Sequence, residues 1–355
     1  MTIEAPGRDL VAVQMLRGIA ATMVLFVHVD IQLERLHYGT LGTAWMSRGV
    51  DIFFVISGFI MWTSVERRGG MPAGVFLRNR LIRIVPLYWF VTTIVLLVGL
   101  TIPQVLSTTK IDAAHVIASY MFFPARHPVT SYFWPLLIPG WSLNYEMLFY
   151  VVFAMSLGLA PGARGVRLAL IASILAAILL VANLTKGRID VMNFYANPVL
   201  LEFVAGVLLG IGWRAGVIRR SPMWLIVAVA GFVLLRLGIN WGSTATLAGA
   251  TLIVGGAVLL PAIPHNPISS IGDASYSLYL THAITLSGIG LLWAQFFQPL
   301  GSQLFVLTGV AAAFTVAFLM YGYFELPMTA LLKRARVRPP AAVVAPAPAA
   351  ADPQQ

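Results

Sequence analysis

The sequence predicts an all-α protein: a polytopic transmembrane helix bundle of about ten spans with both termini cytoplasmic. Three observations lead there. First, 59% of the 355 residues are hydrophobic and only 10% are charged, against about 45–50% and about 25% in soluble domains. Second, the apolar residues come in blocks of roughly 18 or more, the length that crosses a bilayer as a helix. They do not alternate as barrel strands do, and in lipid only a helix or a closed barrel satisfies its own backbone. Third, the basic residues fall on alternate loops.

The spans are predicted near 11–31, 47–65, 84–102, 141–159, 167–185, 196–213, 222–239, 243–261, 275–297 and 303–331. With the N-terminus inside, the inner loops hold Arg67, Arg68, Arg78, Arg80, Arg83, Arg164, Arg167, Arg214, Arg219 and Arg220. The inner tails add Arg8, Lys333, Arg334, Arg336 and Arg338. The outer loops hold fewer: Arg35, Arg48, Lys110, Arg126, Lys186 and Arg188, with Arg236 near an outer end. This bias sets the orientation and favours an even number of spans. Segment 113–123 is apolar but too short to cross, so it reads as an interfacial or re-entrant piece of the outer loop 103–140. Residues 1–335 form the membrane domain, and the Pro/Ala-rich stretch 336–355 reads as a disordered cytoplasmic tail.

The first apolar segment lacks a small-residue cleavage site and carries Arg17 and His28, so it is expected to be a retained span. The net charge of +10 is explained by topology, and nucleic acid is not an expected partner. The absence of cysteine removes disulfides, thiolate zinc sites and an acyl-cysteine intermediate. No Walker-type or GxGxxG loop stands in a convincing context. No metal-ligand spacing stands out, and no metal is expected.

Ionisable residues inside spans are costly and therefore mark candidate sites. Arg17 and His28 are eleven residues apart in the first span. At 100° and 1.5 Å per residue they share one face, about 16 Å apart along the axis. That spacing suits a long donor such as acyl-coenzyme A. A guanidinium holds phosphate near the cytoplasm, and an imidazole further out serves as general base. The competing reading is that Arg17 snorkels to lipid phosphates and His28 bonds a neighbouring helix.

Arg80 and Arg83, three apart, share a helix face at the inner surface. They fit coenzyme A phosphates, or simple anchoring to anionic lipid. Asp51 opens the second span. Asn144 and Glu146 enter the fourth from outside in WSLNYEMLFY, at a depth comparable to His28. There a carboxylate could orient His28 or bond a sugar hydroxyl, or simply complement the helix dipole. Glu202 sits similarly in NPVLLEFVAGVLLG. Asp273 is read as a helix cap, with His282 one or two turns deeper, and Glu325 near the inner end of the last span as a partner for Arg80 or Arg83.

At these residues the sequence resembles the acyltransferase-3 family of membrane O-acyltransferases, closest to the exopolysaccharide-production (ExoZ-like) subgroup. The ordered motifs are LRGIAATMVLFVH, GVDIFFVISGF, RNRLIRIVPLYW, WSLNYEMLFY, LEFVAGVLLG, SYSLYLTH and FELP, which together span residues 14 to 327. Many members carry a doubled acid where this chain has Glu146 followed by Met147, so no role needing a second carboxylate carries over.

The resemblance implies transfer of an acyl group, usually acetyl, from cytoplasmic acyl-coenzyme A to a carbohydrate hydroxyl, in the inner membrane of a bacterium. It assigns catalysis to Arg17 and His28, and it maps the family's arginine pair to Arg80 and Arg83. With the residue reading above, Glu146 and Asp51 join the catalytic candidates, while Asn144, Glu202 and His282 are candidates for binding the carbohydrate. Two other readings fit the intramembrane polar residues. One is a transporter or flippase for a glycan or lipid, and the other is an acyltransferase acting on lipid or protein.

Overall fold

The structure is a computed structural model that describes residues 11–102, 111–216 and 218–334, with the backbone alone at 239–241. The tail 336–355, Arg8 and Lys110 lie outside the described residues. The described residues fold as helices joined by loops and short turns. Among the described residues, seven helical segments are long and apolar enough to cross a membrane: Val11–Arg35, Ala44–Glu66, Ala73–Thr101, Ile138–Leu159, Arg164–Leu184, Ser275–Leu300 and Ser302–Arg334.

The helices are α1 (Val11–Arg35), α2 (Gly49–Glu66), α3 (Ala73–Thr101), α4 (Ala113–Tyr120), α5 (Trp141–Leu159), α6 (Arg164–Leu184) and α7 (Asp190–Tyr195). They continue with α8 (Leu200–Ala215), α9 (Trp224–Trp241), α10 (Ser243–Val258), α11 (Pro267–Asp273), α12 (Ser275–Leu292), α13 (Ser302–Met320) and α14 (Leu326–Arg334). Helices α8 and α10 have 16 residues each. At 1.5 Å per residue they are about 24 Å long, short of a hydrocarbon core of about 30 Å.

Helices α1 and α2 occupy the middle. α1 packs on α11, α12, α2 and α10, and α2 packs on α8 as well. Phe53 of α2 borders all three buried apolar clusters, so the surroundings of α2 form the hub of the bundle. Small residues set the closest approaches. A Cβ on Gly206 of α8 would lie 2.0 Å from the Val55 carbonyl oxygen, and one on Gly58 of α2 would lie 2.1 Å from that of Phe203. Helices in lipid gain most of their association from such packing. Gly206→Ala is therefore expected to force α8 off α2 at a cost of about 3 kcal/mol. The check is a lowered thermal unfolding midpoint of the detergent-purified protein.

Charged residues are anchored in pairs. Glu66, at the end of α2, accepts from Arg164 at 2.5 Å and from the buried Arg167, whose guanidinium also lies 5.0 Å from the Trp62 ring centroid. At the other end of α1 the Asp30 carboxylate accepts from the Leu41 and Thr43 amides at 2.6 and 3.0 Å. The Thr40 and Thr43 hydroxyls add bonds of 2.9 and 3.0 Å, which fastens the connection to α2.

The segment before α5 enters the bundle. After the eight-residue α4, residues 121–140 carry the chain into the bundle before α5 begins. Gly140 lies so close to Tyr88, midway along α3, that a Cβ there would be 2.6 Å from its ring. In this segment His115 and His127 are buried edge to face, 5.3 Å apart. Burial, and then the neighbouring His115, hold His127 below its ordinary pKa. Protonation therefore favours the unfolded segment. Its stability is complete above about pH 6.5 and falls as pH drops below that. Protection of the 111–140 amides against hydrogen exchange, corrected for the intrinsic rate, is expected to fall as pH drops from 7 to about 5.

Candidate active site

Three guanidinium groups converge beside a cavity of about 140 Å3 between α1, α2, α3, α5 and α12. Arg17 comes from α1, held by the Gln14 side-chain oxygen at 3.1 Å. Arg80 and Arg83 come from consecutive turns of α3. Arg80 donates to Ser64 Oγ at 3.0 Å and lies over the Phe76 ring. Arg83 donates to Glu325, which is buried at the π-type turn before α14, and the other Glu325 oxygen accepts from Ser277 Oγ at 2.6 Å. Glu325 thus meets Arg83, one of the two partners the sequence suggests.

Glu146 lines the same cavity. Its Oε1 accepts from Ser57 Oγ at 3.0 Å and from Tyr150 Oη at 2.7 Å. The sequence places it toward the outside beside His28. The structure places it among the arginines instead, because the chain has already entered the bundle when α5 starts. The α2 wall of the cavity, from Val50 to Met61, is apolar apart from Ser57. Three cations against two carboxylates leave a local surplus of positive charge, so the cavity favours an anion. Guanidinium forks suit phosphate oxygens.

His28 stands next to this cavity and not in its wall. Its neighbour is His282 of α12: His282 Nε2 and His28 Nδ1 are 3.1 Å apart, with the rings edge to face. Tyr279 separates the two parts. Its ring lines the cavity and has its centroid 6.1 Å from that of His282 and 5.9 Å from that of Phe53. Its hydroxyl is tied to Ser142 Oγ at 2.8 Å and to the Pro139 carbonyl at 2.9 Å. Nothing in the local sequence singles out Tyr279, because its role arises from contacts across helices, whereas Tyr150 meets Glu146 at i, i+4 within α5.

The remaining candidates lie apart. Asp51 is hydrogen-bonded to Glu202 of α8, with Arg48 at 4.0 Å, and neither carboxyl lines the cavity. Asn144 is buried, and its Oδ1 has no partner among the described residues. Asp273 does not cap α12, because α11 runs through it and its carboxylate meets His265 at 3.1 Å. Asn266 caps α11 instead. Among the described residues, no three His, Asp or Glu stand together as metal ligands would.

Fold and site together describe a multi-pass helical membrane protein with a guanidinium-lined cavity beside an imidazole pair. The comparison with known proteins makes the class specific. The Acyltransferase domain model matches residues 10–322, and the chain belongs to the acyltransferase-3 family of membrane O-acyltransferases. It is an enzyme of acyl transfer. The "Exopolysaccharide production protein ExoZ" of Rhizobium meliloti is 36% identical over 315 residues, covering 85% of this chain and 93% of its own length. "Nodulation protein 10" of Rhizobium leguminosarum bv. viciae is 27% identical over 81% of this chain and 88% of its own. "Peptidoglycan O-acetyltransferase OatA" of Listeria monocytogenes is 25% identical over 79% of this chain and 51% of its own. No solved structure matches the chain.

Proposed function

We propose that the protein moves an acyl group, acetyl in the simplest case, from acyl-coenzyme A to a hydroxyl of a surface or exported polysaccharide or its lipid-linked precursor. The observation that carries this reading is the juxtaposition of Arg17, Arg80 and Arg83 in one cavity with His282 beyond the Tyr279 ring and His28 against His282. The relatives support the acceptor class, one being an exopolysaccharide production protein and another a peptidoglycan O-acetyltransferase. The chain would sit in a bacterial inner membrane with ten spans and both termini cytoplasmic. Residues 1–335 would be the working domain and 336–355 a disordered tail.

In this reading the donor phosphates meet Arg17, Arg80 and Arg83 from the cytoplasmic side, and the thioester extends along the apolar face of α2. Glu146 fixes the donor end through Ser57 and Tyr150. Asn144 and the Asp51–Glu202 pair serve the carbohydrate, with Asp51 away from the proton transfer. The acceptor oxygen attacks the thioester carbonyl carbon while its proton passes to His28 Nε2. The carbon–sulfur bond breaks, and the thiolate leaving group takes up that proton as free thiol. An ester and free coenzyme A are the balanced products.

The test is the O-acyl content of the host's surface polysaccharide, read by proton NMR in a deletion strain with and without the gene restored. Acyl signals that return with the gene are expected. Acylation that never depends on the gene overturns the choice of acceptor. Labelled acetyl-coenzyme A supplied to purified protein and glycan separates an enzyme from a carrier, because only an enzyme leaves base-labile label on the carbohydrate.

A further inference from the structure

Two imidazoles in contact, His282 buried and His28 half-buried, must share their protons in a definite way, and here the helix carbonyls dictate how. His282 Nδ1 lies 2.9 Å from the Leu278 carbonyl oxygen one turn earlier, and His28 Nδ1 lies 3.0 Å from that of Val24. A carbonyl only accepts, so each Nδ1 must carry its proton. His28 Nδ1 also faces His282 Nε2 at 3.1 Å. With the Nδ1 proton already placed on His282, a neutral ring leaves a lone pair on that Nε2. The His28 Nδ1–H is then shared between the Val24 carbonyl and the His282 lone pair. The reverse assignment sets a nitrogen lone pair against the Val24 carbonyl oxygen at 3.0 Å and leaves the contact repulsive. The hydrogen bonds close in one way, and the tautomers follow from that closure.

The consequence falls on the fourth nitrogen. His28 Nε2 is left as a lone pair with no bonding partner among the described residues. That is the state a general base needs. A neutral imidazole with its proton on the other nitrogen accepts from a hydroxyl. In the opposite tautomer the reactive position holds a hydrogen and cannot accept.

We propose that His282 is a positioning residue that, together with the Val24 carbonyl, holds His28 as the Nδ1–H tautomer, so that Nε2 is the basic atom of the site. This rests on the reading of His28 as the base given above. His282 does two things. It orients the ring, because the Leu278 bond and complete burial fix His282 on α12. It also stabilises the imidazolium that forms on His28 when the acceptor proton arrives, since its lone pair then faces a full cation. An orienting group behind a histidine base plays these parts in serine hydrolases, where a carboxylate serves. Here the partner is a neutral ring, which adds no net charge to the membrane interior.

The test compares His282→Gln with His282→Met. The two replacements have similar size and burial. Glutamine puts a carbonyl oxygen near the position of His282 Nε2, and methionine offers only a weak thioether acceptor. Both are measured in lipid discs at equal folded amounts. Nitrogen-15 histidine solid-state spectra report the tautomer, with His28 assigned by the signals that His28→Gln removes.

The expected wild-type state of His28 is Nδ1–H. His282→Gln is expected to keep that state and a kcat within about threefold, while in His282→Met the tautomer preference weakens, resting on the Val24 carbonyl alone, and kcat falls about 100-fold. The donor KM is expected to stay unchanged in both, because the arginines are untouched. A wild-type His28 found as Nε2–H overturns the proposal, as does a methionine variant equal to the glutamine variant in tautomer and kcat. Full activity of His28→Gln overturns the base reading instead, and the tautomer spectra still decide the role of His282.

Discussion

His28→Ala is expected to lower acyl transfer by about 10²- to 10⁴-fold while the protein reaches the membrane in normal amounts. The range is that of a general base removed from a reaction whose nucleophile is a neutral hydroxyl. Donor binding is expected to survive, because Arg17 lies about 16 Å from His28 along α1 and Arg80 and Arg83 belong to another helix. The loss then appears in kcat and not in the donor KM. His28 is only partly buried, so its truncation leaves a modest void, and the partner His282 keeps its own bond to Leu278. The check is radiolabel transfer by purified protein at saturating donor, paired with O-acyl content in complemented cells. Undiminished transfer at equal protein level would remove His28 from the chemistry while leaving the family assignment intact.

Arg83→Leu is expected to act on both folding and function. Glu325 is buried at 2% exposure, and its two oxygens are committed to Arg83 and Ser277. Removing the guanidinium leaves a carboxylate without its cation inside the bundle, at a cost of about 3 kcal/mol. Donor binding weakens as well, because one of three phosphate-directed cations is gone. A double replacement separates the two effects. Arg83→Met with Glu325→Met takes away the buried charge and its partner together, and such exchanges are often neutral for stability. The double variant is expected to recover the folded amount and thermal midpoint of the wild type, yet to keep a donor KM raised roughly tenfold, the loss of about 1.4 kcal/mol of binding. If the donor KM returns to normal with the fold, Arg83 serves structure alone.

Much of this protein is legible along the chain. Composition and block length announce helices in lipid, because an apolar backbone there must satisfy its own hydrogen bonds. The common face of Arg17 and His28, the adjacent turns of Arg80 and Arg83, and the acid of FELP near an inner arginine follow from local periodicity and order. The ordered motifs identify the acyltransferase-3 family, which the domain match over residues 10–322 shows.

The pairings could not be read in the same way. His28 and His282 stand 254 residues apart, and their contact depends on how α12 is set against α1. Glu146 belongs with the arginines and not beside His28, because residues 121–140 bring the chain deep into the bundle before α5 starts, an offset no helical period records. Asp51 turns to Glu202, since close packing at Gly58 and Gly206 sets α2 against α8. Periodicity is a property of one helix, whereas the depth and facing of a side chain depend on the packing of several. The sequence therefore established the membrane bundle and named the candidate site residues, and helix packing chose their partners.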